Sequence, residues 1–333
     1  MQKKTFHVAI VGASGAVGQE MLDVLARRRF PVRRLRALGS ERSAGKTVSF
    51  RGEQLPIELL TEQSFEDVDV ALFSAGASVS KQFAPLAVRA GAVVIDNSSA
   101  FRLDDDVPLV IPEINGGDAA GHRGIIANPN CTTAVTLMAL APLHQAFGVR
   151  RVFAASYQAV SGTGAQAIAE LRGQVETLAA GRTVTPEVYP HQIAFNVLPH
   201  VDSFLDNGYT KEEMKMQNEA RRILHLSDFR ASVTCVRVPV YRAHSVAVNA
   251  EFERPVSLEK AREVLANAPG LQVVDDPAEK RYPMPLMSSG QDDCAVGRLR
   301  LDCALDNGLA FWVSGDQLLK GAALNAVQIA ELL

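Results

Sequence analysis

A glycine-rich turn near the start of the chain constrains the fold more than any other feature. Glycines at positions 12, 15 and 18 follow an apolar, β-branched run at residues 7–11 and precede a helical pattern at residues 19–25. Such a run is typical of a buried strand in a parallel sheet. Strand, glycine-rich turn and helix form the setting of the dinucleotide fingerprint, because glycine permits a tight turn and close approach of backbone to pyrophosphate. We predict a Rossmann-type domain; a glycine-rich turn that binds no ligand is the alternative.

The loop after the second predicted strand indicates which dinucleotide is bound. Arg42 stands there among Ser40, Ser43 and Lys46, with Glu41 as the acidic neighbour. An acidic side chain at this place suits the ribose 2′-OH of NAD, whereas an arginine suits the 2′-phosphate of NADP. We therefore predict NADP, against the alternative that the loop is only exposed and basic.

Small and polar residues follow two further predicted strands. Residues 74–76 come after the apolar run 68–73, and Arg102 follows the run 92–96 with hydroxyl side chains in between. Ligands of open α/β sheets lie outside the carboxyl ends of the strands. These positions therefore favour a ligand site, in which Arg102 holds an anion; an ordinary surface charge is the alternative for Arg102.

Cys131 lies between a turn-forming segment and an apolar helical run. Residues 128–130 read Asn-Pro-Asn, and residues 134–140 are almost entirely apolar. This pattern predicts that Cys131 lies at a helix N-terminus. There the unpaired N–H groups and the helix dipole stabilise a thiolate, the form that attacks a carbonyl carbon. A small buried hydrophobe is the commonest fate of a free cysteine, and this segment alone leaves both readings open.

A predicted strand in the second half carries an arginine, and the connection to the next strand carries a histidine. Arg237 alternates with valines in the strand 232–240, and His244 stands in the connection to the strand 245–252. An arginine at a mid-sheet position needs an anionic partner, either a substrate carboxylate or a structural aspartate. His244 is suited to acid–base work near neutral pH, although a lone histidine in a hairpin is usually unremarkable.

A second turn of small residues and an amphipathic helix complete the set of motifs. Residues 161–164 read Ser-Gly-Thr-Gly, which suits either a backbone cradle or a plain turn between strand and helix. The helix 211–224 places Glu212, Lys215 and Glu219 on one face. Taken alone, that face is typical of solvated salt bridges.

Composition excludes several classes of protein. The 333 residues include 34 basic and 37 acidic side chains, a net charge of −3 that gives no reason to expect a nucleic acid or an anionic membrane as partner. The four cysteines contain no C-x-x-C pair, so neither a disulfide scaffold nor a zinc site is indicated. No apolar run approaches the ~20 residues of a membrane helix, and the N-terminal segment does not resemble a signal peptide. We expect a cytoplasmic protein.

Taken together, the motifs resemble those of aspartate-semialdehyde dehydrogenases of the shorter bacterial kind, in family order across nearly the whole chain. They are Gly12-Ala13-Ser14-Gly15-Ala16-Val17-Gly18, Arg42-Ser43-Ala44-Gly45-Lys46, Asn97-Ser98-Ser99-Ala100-Phe101-Arg102, Asn128-Pro129-Asn130-Cys131, Gln158 with Ser161-Gly162-Thr163-Gly164, Glu212 with Lys215, Arg237-Val238-Pro239-Val240 with His244, and Lys320-Gly321-Ala322-Ala323-Leu324-Asn325. Each motif is weak alone, but the ordered set is specific. Ser14 departs from the family's common threonine, which is a conservative change.

The resemblance implies a fold, an activity and a partner. It implies an α/β chain with a Rossmann-type NADP-binding domain, residues 1–130 and 315–333, and a mixed α/β catalytic and dimerisation domain, residues 131–314, resembling glyceraldehyde-3-phosphate dehydrogenase. The expected reaction is the NADP-dependent reductive dephosphorylation of 4-phospho-L-aspartate to L-aspartate 4-semialdehyde and phosphate. This is the branch-point step toward lysine (through diaminopimelate), threonine and methionine. The family usually forms homodimers, and we expect one here.

The resemblance also assigns roles to residues. Cys131 forms the thioester, His244 is the acid–base group, and Gln158 and Asn130 orient the acyl intermediate. Substrate contacts are expected from Arg237, Glu212 and Gln158, and phosphate contacts from Arg102 and Lys215. The residues expected to bind the cofactor are Gly12, Ser14, Gly15, Ala16, Val17, Ser40, Arg42, Ser43, Ser74, Ala75, Gly76, Ser161, Gly162 and Asn325. Glu213 competes with Glu212 for the substrate role; we choose Glu212 because it shares a helical face with Lys215.

Two other functions are weighed against this one. N-acetyl-gamma-glutamyl-phosphate reductase shares the Rossmann start and the cysteine, but its nucleophile motif resembles P-G-C-Y-P-T, whereas this chain has Asn-Pro-Asn-Cys-Thr-Thr. Its substrate also lacks the free amine that Glu212 would bind. An inactive NADP-binding sensor is the second alternative. That reading predicts the loss of Cys131, His244 or Arg237, and all three are present.

Overall fold

The protein is described by a computed structural model that covers residues 5–333. Over this part of the chain there are two compact units. The first consists of residues 5–130 and 322–333, and the second of residues 131–321. Each unit has a sheet of its own.

The first unit is built on a seven-stranded sheet. Its strands are β1 (Phe6–Val11), β2 (Val32–Gly39), β3 (Thr47–Phe50), β4 (Glu53–Leu59), β5 (Val70–Phe73), β6 (Val93–Asp96) and β7 (Ile125–Ala127), in the order β3-β4-β2-β1-β5-β6-β7. Neighbouring strands are parallel except β3, which pairs antiparallel with β4. Up to residue 130 its helical segments are α1 (Ala16–Arg27), α2 (Ala77–Arg89), α3 (Pro112–Asn115) and the 3₁₀ turns Glu62–Phe65 and Gly116–Gly121.

The position of β1 explains why a ligand site is expected at one edge of this sheet. All six residues of β1 are buried, and the strand pairs with β2 on one side and β5 on the other. The chain order therefore reverses at β1, and such a switch point is where open α/β sheets bind their ligands. The glycine turn follows β1, and residues 74–76 follow β5, at the same edge. The predicted Rossmann-type fold is confirmed.

The second unit is built on a six-stranded mixed sheet. Its strands are β8 (Val149–Gln158), β9 (Arg230–Arg237), β10 (His244–Phe252), β11 (Leu271–Val273), β12 (Cys294–Leu301) and β13 (Gly308–Gly315), in the order β11-β12-β13-β10-β8-β9. Its helical segments are α4 (Cys131–Phe147), the 3₁₀ turn Val160–Thr163, α5 (Ala165–Ala179), α6 (Lys211–Ile223), α7 (Leu258–Ala266) and α8 (Pro285–Ser288). Helix α4 is apolar on nearly every side, as a helix enclosed by its neighbours must be.

The register of three central strands brings the predicted catalytic residues to one edge of this sheet. In the parallel pair β8 and β9, Gln158 lies opposite Arg237. In the antiparallel pair β8 and β10, Tyr157 lies opposite Ser245, one residue after His244. Strands β8 and β9 thus end where β10 begins, and Gln158, Arg237 and His244 meet there.

The C-terminal segment differs from the sequence-based expectation. A single helix over residues 318–333 is predicted, but the chain makes a turn of π-helix at Leu319–Ala323 and then the shorter helix α9 (Leu324–Ala330). The two compact units divide after Gly321, and the domain boundary predicted at residue 315 stays a prediction. The reason lies in Asp316 and Gln317, whose side chains form hydrogen bonds within the second unit, as described below.

Candidate active site

The glycine turn of the first unit has the geometry of a phosphate cradle. Gly12 has a φ of +90°, and a Cβ there would lie 3.0 Å from the carbonyl carbon of Ser74. A Cβ on Gly18 would lie 2.3 Å from the Gly12 carbonyl oxygen. Gly15 is the N-cap of α1 and offers no side-chain hydrogen bond, so the first N–H groups of the helix remain open to an anion. These features fit the pyrophosphate of a dinucleotide.

The other predicted cofactor residues of the first unit lie around the same sheet edge or in loops. Ser14 and Gly15 are exposed, and Ala16 and Val17 begin α1. Arg42 and Ser40 are exposed after β2, while Ser43 is buried and donates its hydroxyl to the carbonyl of Ser40. Ser74 donates to the carbonyl of Val11, Ala75 is half-buried, and Gly76 is an exposed N-cap of α2 with a φ of +90°.

The turn before the cysteine is anchored within the first unit. Arg102 is buried and donates through Nε to the carbonyl of Asn128 at 2.9 Å and through Nη2 to the carbonyl of Asn97 at 2.8 Å. Asn325 donates through Nδ2 to Oδ1 of Asn128 at 2.7 Å. Among the described residues, the buried Oδ1 of Asn325 has no hydrogen-bond partner. Arg102 and Asn325 thus shape the turn in which the buried Asn130 precedes the cysteine.

Cys131 is the first residue of α4, where the turn and the apolar run predict it. The side chain is partly exposed. A Cβ on Gly321 would lie 2.7 Å from the Cβ of Cys131, so this glycine leaves room for the cysteine. By contrast, burial raises the pKa of the Cys235 thiol to about 12. Cys235 therefore stays protonated and is unsuited to nucleophilic attack.

A chain of polar contacts links Gln158 to α6. Gln158 is buried and donates through Nε2 to Oε1 of Glu212 at 3.2 Å. Lys215 Nζ donates to Oε2 of Glu212 at 2.8 Å and to Oδ2 of Asp202 at 3.0 Å. Burial acts to lower the pKa of Lys215, but the two carboxylates raise it overall, so this side chain is cationic.

Glu213 has a different surrounding from its neighbour Glu212. Its carboxylate accepts the N–H of Thr210 at 2.7 Å in a capping box at the start of α6. The same carboxylate accepts the N–H of Cys235 at 2.9 Å. Glu213 is thus occupied by backbone donors, whereas Glu212 faces the side chains of Gln158 and Lys215. This difference favours Glu212 as the ligand-facing residue.

Arg237 and His244 are held by the backbone of one residue, Ala159. The carbonyl of Ala159 accepts Nη1 of Arg237 at 2.8 Å, and its N–H donates to Nδ1 of His244 at 3.0 Å. Both side chains are buried. Within the described part of the chain, Arg237 Nε and His244 Nε2 have no hydrogen-bond partner, and no carboxylate pairs with Arg237. Burial and the neighbouring guanidinium hold the pKa of His244 well below its usual value.

Gly162 adjoins this pair. A Cβ at this position would lie 2.9 Å from Nη1 of Arg237 and 3.3 Å from Nε2 of His244. The preceding Ser161 is buried, and its hydroxyl accepts a hydrogen bond from Nε2 of Gln317. The structure therefore brings Gly162 to the Arg237–His244 pair, while the cofactor contacts expected of both residues stay predictions.

Several supporting residues carry no signal in the sequence. Asp316 is fully buried and accepts Arg242 Nε at 2.5 Å, and Gln317 accepts the N–H of Ala243 at 2.8 Å. Together they hold the residues before His244, where Ala243 has a φ of 71°. Ala159 acts through its backbone alone, which no side-chain pattern could reveal.

Two further properties bear on function. No group of His, Cys, Asp or Glu side chains among residues 5–333 is arranged to hold a metal ion. In the same range, none of the helices combines the length and the apolar character needed to cross a membrane.

Comparisons with known proteins agree with this arrangement. Residues 7–122 match the family model "Semialdehyde dehydrogenase, NAD binding domain", and residues 140–320 match "Semialdehyde dehydrogenase, dimerisation domain". The aspartate-semialdehyde dehydrogenase of Aquifex aeolicus is 51% identical over 332 residues, covering 98% of both chains. That of Bacillus subtilis is 48% identical over 335 residues, covering 98% of this chain and 97% of the other.

A solved structure extends the likeness to three dimensions. The crystal structure of aspartate semialdehyde dehydrogenase II from Vibrio cholerae complexed with ASA superposes with a TM-score of 0.97. The two chains are 45% identical, and the match covers 99% of this chain and 98% of the other.

Proposed function

This chain belongs to the aspartate-semialdehyde dehydrogenase family, and we propose that it reduces 4-phospho-L-aspartate to L-aspartate 4-semialdehyde and phosphate with NADPH. The observation that carries the proposal is the pair Arg237 and His244, buried side by side on Ala159, with polar atoms that no described residue satisfies. A buried guanidinium whose Nε has no partner and a buried ring nitrogen without one suit an anionic substrate with a polar reacting group.

Cys131 is the proposed nucleophile. Its place at the start of α4 favours the thiolate through the unpaired N–H groups and the helix dipole. The thiolate forms a bond to the acyl carbon of the acyl phosphate, and the C–O bond to phosphate breaks, which leaves a thioester on Cys131. Bound NADPH supplies the hydride that reduces this thioester. The resulting thiohemiacetal then releases the aldehyde and restores the thiolate of Cys131.

Four side chains are proposed to orient the substrate. The guanidinium of Arg237 offers a planar pair of donors that matches the α-carboxylate. Glu212 lies within reach of Gln158 and supplies the negative charge for the α-ammonium group. Gln158 and Asn130 orient the acyl group next to Cys131, since Asn130 directly precedes the cysteine. His244 is the proposed acid–base group.

Arg102 and Lys215 are proposed to bind the phosphate group. The guanidinium of Arg102 and the ammonium group of Lys215 each carry a positive charge, which can stabilise a departing dianion. NADP is the proposed cofactor because the exposed Arg42 follows β2, at the place where a 2′-phosphate is recognised. The cradle formed around Gly12 supports the pyrophosphate position.

A homodimer in the cytoplasm is proposed as the working state. One face of β8 carries two exposed aromatic side chains. Phe153 is 45% exposed and Tyr157 is 36% exposed. The ring of Trp312 lies 5.2 Å from that of Tyr157 on the same face, and its buried Nε1 has no partner among the described residues. An exposed aromatic sheet face of this kind suits a second copy of the chain.

The test is an assay in the oxidative direction. With NADP, phosphate and L-aspartate 4-semialdehyde the protein should form NADPH, and Cys131→Ala should abolish turnover while NADP binding persists. N-acetylglutamate semialdehyde serves as the competing substrate. Turnover of that compound and none of aspartate semialdehyde would favour the reductase alternative, and an active Cys131→Ala variant would exclude the covalent route.

A further inference from the structure

Asp96, the last residue of β6, is a fully buried carboxylate outside the proposed substrate contacts. It lies at the carboxyl end of its strand, the edge of the sheet at which the glycine turn follows β1, and its exposed fraction is 0%. An aspartate is almost never fully buried unless its carboxylate is paired or hydrogen-bonded. The partners of this carboxylate therefore indicate what it does.

Three hydrogen bonds join the carboxylate to two segments of the first unit. Its Oδ1 accepts the hydroxyl of Ser80 at 2.7 Å and the backbone N–H of Ser98 at 3.1 Å, and its Oδ2 accepts the hydroxyl of Ser98 at 2.7 Å. Ser80 belongs to α2, whereas Ser98 belongs to the chain that leaves β6. Bonds to a carboxylate are roughly twice as strong as those between neutral groups. Asp96 therefore fastens the departing chain to the end of the strand.

Ser98 extends this constraint along the chain. Its hydroxyl oxygen accepts the N–H of Ala100 at 3.1 Å, two residues further on. Aspartate and serine side chains that bond the backbone two residues ahead are characteristic of turns. Asp96 and Ser98 thus form two such turns in succession, and these lead directly to Arg102.

The backbone beside Asp96 also orients the guanidinium of Arg102. Nη2 donates to the carbonyl of Asn97 at 2.8 Å, and Nε donates to the carbonyl of Asn128 at 2.9 Å. The N–H of Asn128 in turn donates to the carbonyl of Asp96 at 2.8 Å. One of the two carbonyls thus follows Asp96 in the chain, and the other belongs to a residue that is bonded to it.

We propose that Asp96 is a positioning residue for phosphate binding: its carboxylate fixes the turn over residues 97–102, so that the guanidinium of Arg102 is oriented before phosphate arrives. This inference rests on the phosphate contact proposed for Arg102. An ionised carboxylate only accepts hydrogen bonds and repels phosphate, which agrees with a place behind the turn and away from the ligand. Rigid support of a binding side chain lowers the cost of ordering it on binding.

The first test compares Ser98→Ala with Ser80→Ala in the full chain. Each variant removes a buried hydroxyl that lies 2.7 Å from the same carboxylate, but only Ser98 belongs to the turn. Both variants should lower the melting temperature. In the oxidative assay, Ser98→Ala should raise KM for phosphate roughly tenfold or more, the weight of one hydrogen bond to a charged group. KM for aspartate semialdehyde should change much less.

Ser80→Ala is the matched control for stability. It should leave KM for phosphate within about twofold of the original value, because α2 lies on the other side of the carboxylate from the turn. An equal rise in this KM in both variants would mean that Asp96 only stabilises the fold, and the proposal would be overturned.

The second test changes Asp96 itself. Asparagine keeps an oxygen for the N–H of Ser98 and forms the same kind of turn, whereas alanine has no acceptor. Asp96→Ala should raise KM for phosphate at least about tenfold, and Asp96→Asn should restore most of the phosphate affinity. Equal losses in the two variants would exclude turn geometry as the cause. The serine pair decides the question if Asp96→Ala does not fold.

The third test asks whether the effect passes through Arg102. Arg102→Leu should raise KM for phosphate, and Ser98→Ala should add little in that background, since residues that act through one another are not additive. Fully additive effects would show that the turn acts on phosphate by another route, against the proposal.

The last test needs no turnover. Inorganic phosphate is titrated calorimetrically into the unaltered protein, Ser98→Ala and Ser80→Ala. An affinity that falls roughly tenfold in Ser98→Ala alone supports the positioning role, whichever acyl phosphate the enzyme reduces. An unchanged affinity in Ser98→Ala, in a protein that turns over aspartate semialdehyde, would refute this inference while the proposed function stands.

Discussion

Replacing Gly162 with alanine should damage the active site without damaging the fold. The backbone of this glycine does not have a positive φ, so alanine causes no backbone strain here. The added methyl group acts only through steric overlap with its neighbours. The new Cβ would stand 2.9 Å from Nη1 of Arg237 and 3.3 Å from Nε2 of His244. Non-bonded heavy atoms prefer separations of about 3.5–4.0 Å, so the methyl group overlaps both.

The size of the effect follows from which neighbour can move. His244 begins β10 and is tied to the Ala159 N–H, so its ring has little freedom. The end of Arg237 can shift, but only by giving up its 2.8 Å bond to the Ala159 carbonyl. Overpacking of this kind costs typically 1–3 kcal/mol. If that cost falls on transition-state binding, kcat/KM should drop roughly 5- to 150-fold.

The assay is steady-state turnover of aspartate semialdehyde. The values of kcat and KM are determined separately, because kcat reports the effect on His244 and KM the effect on carboxylate binding by Arg237. Because the guanidinium yields first, KM for the semialdehyde should rise more than kcat falls. In an Arg237→Ala background the same glycine substitution should have a much smaller effect, since the displaced group is gone.

Gly173 offers a matched control. It lies inside α5, and a Cβ there would meet nothing within 4 Å. Gly173→Ala should leave kinetics unchanged and stabilise the protein by about 0.5–1 kcal/mol. If Gly162→Ala behaves like Gly173→Ala, or if its effect is the same with and without Arg237, the reasoning about this space is refuted.

The remaining predictions concern α6 and the arginine. Arg237→Lys keeps the charge but loses the planar fork, so kcat/KM should fall far more than the free energy of unfolding; an unchanged rate would make Arg237 structural. Glu213→Gln should lower the free energy of unfolding by about 1 kcal/mol and spare catalysis, whereas Glu212→Gln should raise KM; the reverse result would exchange their roles. Burial acts to raise the pKa of Asp202, but the hydrogen bond from Lys215 helps to lower this pKa overall. The carboxylate of Asp202 therefore stabilises the fold at neutral pH, and this stabilisation is lost as the pH falls through the lowered pKa. Asp202→Asn should remove this part of the acid dependence of the free energy of unfolding. The contribution should be under about 1 kcal/mol, because the pair is partly exposed.

Much of the first unit follows from local sequence. The run at residues 7–11 and its glycine turn specify a buried central strand and a helix start, and both occur. The apolar run after Cys131 likewise places the cysteine at the start of α4. These predictions succeed because strand, turn and helix signals act over a few neighbouring residues.

The meeting of Arg237 and His244 on Ala159 depends instead on register. It requires β9 and β10 to flank β8 with particular partners, and such pairings join residues far apart in the chain. From the sequence, Glu212 is chosen over Glu213 as the substrate residue because it shares a helical face with Lys215. In the structure the capping box and the Cys235 N–H occupy Glu213, which supports Glu212, and the substrate role of Glu212 stays a prediction.

The C-terminal segment shows that an apolar composition does not predict where a helix is interrupted. Apolar residues from 318 onward are compatible with one continuous helix, and the sequence predicts one. The buried carboxylate of Asp316 instead accepts the N–H of Leu318 at 2.9 Å, and the N–H of Gly321 bonds to the Asp316 carbonyl. These bonds produce a π-helical turn whose glycine faces Cys131.

The central claim, a thioester on Cys131, can be tested in one measurement without reduction. The protein is mixed with 4-phospho-L-aspartate in the absence of NADPH, and released phosphate and the mass of the Cys131 peptide are followed together. The account predicts a stoichiometric burst of phosphate, an aspartyl adduct on Cys131, and neither in Cys131→Ala. Absence of a burst, or an adduct on a different residue, would contradict it.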